Sequence, residues 1–224
     1  MQKIVIIVAG GVGKRMNSNI PKQFMLLGDI PVLMHTIRVF TRYDKDIGIR
    51  LVLPEEETES WKRLCRQFHF TVGHQVYKGG ETRFHSVLNG LEGITGSCLV
   101  AVHDGVRPLV SVKTITNCFL TAEEKGTAVP VLIPKESIRE IAGENSVSCN
   151  RELFRVVQTP QVFQSEIILH AYNTEYRESF TDDASVVEHA GYKIYLTEGN
   201  EENIKITSPL DLRIAEALYR SGKH

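Results

Sequence analysis

The sequence predicts an α/β fold: a mostly parallel, twisted sheet with helices on both faces, plus a projecting β-arm. Three observations carry that expectation. Ile4-Val5-Ile6-Ile7-Val8-Ala9 and Leu99-Val100-Ala101-Val102 are uninterrupted apolar runs, the pattern of strands buried on both faces. Strand and helix patterns then alternate along the chain, as crossovers between parallel strands require. One polar stretch, 134–158, breaks the alternation.

The elements follow in order. Gly10, Gly11 and Gly13 make a glycine loop after the first strand, with Lys14 and Arg15 directly behind it. Lys22 follows Ile20-Pro21 on a segment long enough to fold back over that loop. Residues 31–40 carry apolar side chains at helical spacing, with Pro31 in the first turn. A second strand over 47–53 is closed by Pro54. A polar helix over 55–66 shows Trp61 and Leu64 on its apolar stripe, and 70–72 reads as a short strand. Gly79-Gly80 leads into a helix over 82–91. The next buried strand covers 97–103. An amphipathic helix over 112–124 is stopped by Gly126, and 127–133 is strand-like.

Residues 137–141 and 146–148 flank the polar turn Ala142-Gly143-Glu144-Asn145, a hairpin pattern. The stretch is too polar to form a second core, so 134–158 is expected to leave the body as an arm that needs a partner. Residues 159–163 rejoin the body. Helices over 165–175 and 182–190, a strand over 193–197 and an extended piece over 203–206 come next. Ser208 fits the N-cap of the last helix, 210–219, with Pro209 in its first turn. The whole of 1–224 reads as one domain with 134–158 as its arm.

Composition excludes several classes of protein. A chain of 224 residues with 42% hydrophobic and 24% charged residues is enough for one good core. A formal net charge of -1 gives no support to a nucleic-acid surface. No stretch approaches transmembrane length and no signal peptide is evident, so no membrane partner and a cytoplasmic location are expected. Cys65, Cys98, Cys118 and Cys149 form no close pair of the metal or redox type and fit a reducing compartment. No serine has a nucleophile elbow around it, and the histidines show no zinc spacing.

The candidate chemistry lies in a few short stretches. A loop without β-carbons brings backbone N–H groups close to a ligand, and Lys14, Arg15 and Lys22 add positive charge suited to a phosphate chain. Neither common phosphate motif applies. Lys14 is not followed by Ser or Thr, and the third glycine of a dinucleotide fingerprint is missing. A plain tight turn would use the same glycines. In Val102-His103-Asp104-Gly105-Val106-Arg107-Pro108 a carboxylate stands where a buried strand ends, beside the glycine loop. Asp104 there is an oxygen ligand for a hard divalent cation that also contacts substrate phosphates, or one half of a strand-end salt bridge. Gly105 keeps the adjoining backbone accessible. Arg107 either fixes Asp104 or binds phosphate, and His103 reads as structural. Gly80, Glu81 and Ser86 surround a helix start, which offers free N–H groups and partial positive charge, or simply caps the helix. Lys205 alternates with Ile204 and Ile206 and points either into the cleft or into water. Ser137 and Arg151 stand at the base of the arm, where they can grip a second phosphate or remain exposed.

Together these stretches resemble the 2-C-methyl-D-erythritol 4-phosphate cytidylyltransferase family over nearly the whole chain. The resemblance is carried by 9–16, Pro21-Lys22-Gln23, Gly79-Gly80-Glu81-Thr82-Arg83, the Val102 to Pro108 stretch, Thr159-Pro160-Gln161, Thr181-Asp182-Asp183-Ala184 and Asn203-Ile204-Lys205-Ile206-Thr207. It implies a Rossmann-like nucleotidyltransferase fold and CMP transfer from CTP to methylerythritol phosphate with release of pyrophosphate, in non-mevalonate isoprenoid precursor synthesis. It further implies that Ala9, Gly10, Gly11 and Gly13 wrap CTP while Arg15 and Lys22 hold the triphosphate. Gly80, Glu81 and Ser86 face the base and ribose, Gly105 lines the sugar, and Asp104 serves a Mg²⁺ site. Lys205 reaches the α-phosphate, and Arg107 and Thr159 are site-wall residues. Ser137 and Arg151 ride on an arm that crosses to a second copy in a homodimer and helps bind the alcohol phosphate. Ser137, Glu81 and Gly10 depart from the family's more frequent threonine, aspartate and alanine. The alternative is ribitol-5-phosphate cytidylyltransferase, sharing the nucleotide half with a longer, unbranched alcohol, or another small-alcohol or sugar phosphate nucleotidyltransferase.

Overall fold

The computed structural model describes residues 1–10 and 20–222. In chain order the elements are β1 (Gln2–Val8), a 3-10 turn (Lys22–Phe24), β2 (Leu26–Leu27), β3 (Ile30–Pro31), α1 (Val32–Tyr43), β4 (Gly48–Leu53), α2 (Thr58–Gln67), β5 (Gln75–Lys78) and α3 (Arg83–Leu91). They continue with β6 (Cys98–Asp104), α4 (Val112–Lys125), β7 (Thr127–Leu132), β8 (Ile138–Ala142), β9 (Asn145–Cys149), β10 (Val156–Val157), β11 (Gln161–Gln164), α5 (Ser165–Ala171), α6 (Asp183–His189), β12 (Leu196–Glu198) and α7 (Pro209–Arg220).

The main sheet runs β10-β7-β11-β6-β1-β4-β5, with β12 also on β7. The centre is parallel: β1 pairs β6 and β4, and β4 pairs β5. The far side is mixed, because β11 returns antiparallel between β6 and β7. Alternation along β1 divides its side chains between two cores. Val5, Ile7 and Ala9 pack with α1, α4 and Trp61 of α2 on one face. Ile4 and Ile6 pack with Phe84, Val87 and Leu91 of α3, Ile168 of α5 and Val186 of α6 on the other. A third cluster seats Ala215 of α7 on Leu27, Val32 and Ile206.

Caps fall where the sequence places them. Ser208 and Asp211 form a reciprocal capping box on α7, and Gly126 ends α4 at φ 92°. Three expected boundaries are corrected. Residues 70–72 are not a strand: Phe70 turns into the core beside Trp61, and the strand is Gln75–Lys78. That strand is the outer partner of β4, so its half-exposed, polar residues lack the apolar pattern of a buried strand. The helix expected to reach 175 stops at Ala171, where Tyr172 turns inward to stack on Phe84. The strand expected at 193–197 is Leu196–Glu198, set by its pairing with Val129–Val131.

The arm is as expected a hairpin, β8 against β9, and it pairs only with itself among the described residues. Gly143, at φ 63°, takes the tight turn. Ile141 and Val147 on it are 74% and 52% exposed. A lone two-stranded hairpin is marginal in water, so this one gains from any contact that covers its apolar side chains.

Candidate active site

Parallel register fixes where the site forms. Val8 at the end of β1 stands level with Asp104 at the end of β6 and Val52 of β4. The connections that leave these strands therefore emerge at one sheet edge, where ligands of α/β folds bind. A cleft of about 220 Å³ lies there, lined by Ala9, Gly10, Lys22, Gln23, Gly80, Glu81, Arg83, Ser86, Asp104 and Lys205 among others.

Each lining residue has a local cause. The backbone of Ala9 is pinned to both neighbours of β1, since Ala9 N–H donates to Val52 O and Gly105 N–H donates to Val8 O. A β-carbon on Gly105 would stand 2.8 Å from that of Ala9, so this close crossing demands glycine. The same holds at Gly80, where a β-carbon would meet the carbonyl carbon of His85 at 2.9 Å. Ser86 fastens the loop before α3: its hydroxyl donates to Thr82 O and accepts from Gly80 N–H. Thr82 caps the helix by accepting from His85 N–H. Lys22 opens the 3-10 turn, and its neighbours anchor that turn: Gln23 donates to Ala9 O at 2.9 Å and Phe24 stacks on Trp61.

Asp104 is the electrostatic centre. Lys205 Nζ stands 3.0 Å from its Oδ2, Arg107 Nε 3.2 Å from the same oxygen, and Arg83 Nε 3.6 Å from Oδ1. Burial by itself raises this carboxyl, but Arg83, Lys205 and Arg107 overcome it and hold Asp104 well below the usual carboxylate range. Arg107 also donates to Asn203 O at 2.7 Å, and it does not line the cleft. Asn203 in turn donates to Thr159 O, which ties the stretch carrying Lys205 to the return into β11.

Thr159 is buried and does not line the cleft. Its Oγ accepts from Asp104 N–H at 3.1 Å and its hydroxyl donates to His103 Nδ1 at 3.0 Å. The tautomer follows, because His103 Nε2 must donate to the Arg107 carbonyl, 3.1 Å away. Burial pushes the His103 imidazole down to about 4, with the carbonyl of Arg107 only partly opposing it. The folded protein therefore keeps His103 neutral where the unfolded chain, near 6.5, takes up a proton. This stabilisation is complete above pH 6.5 and is lost as pH falls through 4, by about 3 kcal/mol in all. Denaturant unfolding at a series of pH values checks this. The His103→Gln variant is expected to lose that part of the pH slope, and an unchanged slope would assign it to another group.

The remaining candidates are placed as follows. Gly11, Gly13 and Arg15 lie outside the described residues. Ser137 and Arg151 are exposed at the arm's base, where Arg151 donates to Lys135 O at 2.7 Å. Neither lines the Asp104 cleft; Arg151 borders a separate hollow with Lys135, Glu198 and Glu201. Sequence reasoning missed two groups. Gln23 lines the cleft, and its buried Oε1 has no hydrogen-bond partner among the described residues. Asp183, fully buried at the start of α6, grips Arg83 at two points, 2.9 and 2.6 Å, and accepts from Tyr172 at 2.7 Å. In the sequence Asp182-Asp183 reads as a helix start and as part of a family motif, but the partner of Asp183 is 100 residues away.

Among the described residues no three His, Cys, Asp or Glu side chains form a metal cage. A hard cation such as Mg²⁺ needs less: one or two carboxylates, with substrate phosphates and waters for the rest. Asp104 fits that donor set through Oδ1, since Lys205 and Arg107 make their ion pairs to Oδ2 and Arg83 Nε stands 3.6 Å from Oδ1. Among the described residues, no helix is long and apolar enough to cross a membrane.

Comparison with known proteins identifies the family. The family model described as IspD, 2-C-methyl-D-erythritol 4-phosphate cytidylyltransferase, matches residues 3–221. The 2-C-methyl-D-erythritol 4-phosphate cytidylyltransferase of Bacteroides thetaiotaomicron is 50% identical over 97% of this chain and 100% of its own. That of Azobacteroides pseudotrichonymphae is 52% identical over 97% and 98%. The crystal structure of the Thermus thermophilus enzyme of that name superposes with a TM-score of 0.79 at 32% identity, covering 98% of this chain and 100% of that one. Matched along nearly its whole length by the family model and by these relatives, the chain belongs to the 2-C-methyl-D-erythritol 4-phosphate cytidylyltransferase family.

Proposed function

We propose that this protein transfers CMP from CTP to 2-C-methyl-D-erythritol 4-phosphate, giving 4-diphosphocytidyl-2-C-methyl-D-erythritol and pyrophosphate. The observation that carries the reading is the convergence of Lys22, Arg83, Asp104 and Lys205 on one cleft whose rim is Gly80, Glu81 and Ser86. An oxygen of the alcohol's phosphate attacks the α-phosphorus of CTP in line. The new P–O bond forms as the bond to the bridging β-phosphate oxygen breaks, and pyrophosphate leaves with that electron pair. No covalent enzyme intermediate is required.

Bringing two anions together is the main barrier in a partly dry site. Lys22 and Lys205 offset it, and they count most where charge develops in the transition state. Gly10, Gly80, Glu81 and Ser86 hold the nucleoside and the phosphate chain, a task the family resemblance also gives to Gly11, Gly13 and Arg15. Arg107 and Thr159 act through Asp104, holding its carboxylate and its backbone N–H. Asp104 would hold a divalent cation, which supplies charge neutralisation at the phosphates when bound. The arm is read as the dimer contact: its exposed Ile141 and Val147 need cover, and Ser137 and Arg151 would serve the neighbouring copy's cleft.

A turnover screen tests the reading. CTP, UTP and ATP are each paired with methylerythritol phosphate and ribitol 5-phosphate, and pyrophosphate release is measured. CTP with methylerythritol phosphate is expected to exceed every other pair by at least about tenfold in kcat/KM, a difference of about 1.4 kcal/mol. Equal or faster turnover of ribitol 5-phosphate would sink the assignment of the alcohol.

A further inference from the structure

Arg83 is the cation on Asp104 that is also held from behind. Its guanidinium faces two carboxylates: Asp183, at 2.9 and 2.6 Å in a two-point pair, and Asp104, whose Oδ1 lies 3.6 Å from Nε. Asp183 cannot follow it into the cleft. It is fully buried, it starts α6, and it accepts from Tyr172 at 2.7 Å. The helix start is itself tied to the sheet, since Gln161 of β11 donates to Asp182 and accepts from Ala184 N–H. A two-point guanidinium–carboxylate pair fixes orientation as well as distance. The other two cations of the cluster, Lys205 and Arg107, crowd Oδ2 instead.

We propose that Asp183 is a positioning residue for the metal: by clamping Arg83 it keeps the guanidinium from closing onto Asp104 and leaves Oδ1 open to a divalent cation. Freed from Asp183, Arg83 would pair with Asp104, and a cation would have to displace it. The inference rests on the reading of Asp104 as the metal ligand.

The probe is Mn²⁺, its binding to the full chain in the presence of CTP read by electron paramagnetic resonance. In Asp183→Asn, the dissociation constant for Mn²⁺ is expected to rise at least about tenfold, equivalent to about 1.4 kcal/mol. Asp183→Glu keeps the charge but moves the guanidinium by a methylene, and a rise of about threefold or more is expected. The double variant Arg83→Gln/Asp183→Asn carries no cation to clamp, so its affinity should return to within about threefold of the parent. Parental affinity in a folded Asp183→Asn or Asp183→Glu protein overturns the proposal. So does a double variant as weak as Asp183→Asn, because that pattern marks a merely structural role. Asp104→Asn separates the two readings: if it binds Mn²⁺ as the parent does, the metal reading of Asp104 fails, and the clamp fails with it.

Discussion

Lys22→Ala is expected to lower kcat by about a hundredfold or more, about 2.7 kcal/mol of transition-state stabilisation. The expectation comes from how firmly the residue is based. Lys22 begins a 3-10 turn whose next two residues are buried, Gln23 donating to Ala9 O and Phe24 stacking on Trp61 with ring centroids 6.0 Å apart. The ammonium is thus delivered to the cleft from a fixed foundation, with little reorganisation at the moment of reaction, and preorganised charge of this kind is worth most in a water-poor site. Because the charge on the reacting phosphates grows in the transition state, kcat and kcat/KM should fall together. The anchors Gln23 and Phe24 are untouched, so the fold is retained. Steady-state kinetics with both substrates varied checks this, and a loss of tenfold or less counts against the role.

Asp104→Asn is expected to fail in two ways at once. Three cations surround this carboxylate within 3.6 Å, and among the described residues only Arg83 has a second carboxylate of its own. Removing the charge leaves Arg107, which is mostly buried, without a carboxylate partner, a type of loss that costs about 3 kcal/mol. For a chain of this size that lowers Tm by about 9 °C. Turnover should drop by about a hundredfold, since Asp104 both organises the cations and offers the metal an oxygen. The same change leaves the cleft more positive, so metal-free CTP should bind more tightly than to the parent. Calorimetric melting and CTP titration in a chelator give the two readings. Unchanged Tm, or CTP affinity equal to or weaker than the parent's, would remove Asp104 from the centre of the site.

Much of the frame is legible along the chain because its causes are local. The apolar runs that became β1 and β6, the Ser208-Pro209 start of α7 and the Gly126 stop of α4 each depend on a few adjacent residues. The strand at Gln75–Lys78 was not legible, because it is recruited by the free edge of β4 and carries little apolar pattern of its own. The antiparallel return of β11 between β6 and β7 is likewise a matter of pairing, which no stretch of sequence states. In the site, Lys22, Asp104 and Lys205 were nameable by type and by family motif, and they do share one cleft.

What the sequence by itself determined is therefore the alternation of strands and helices, the glycine approaches, the arm and the family. The tertiary structure alone decided which charges answer one another. Arg83 meets Asp183, Arg107 meets Asn203 O, and Thr159 joins His103 to the backbone of Asp104. The physical reason is range. Periodicity and capping act over a few residues, whereas a buried charge is stabilised by whatever partner the fold brings within about 4 Å, however distant along the chain.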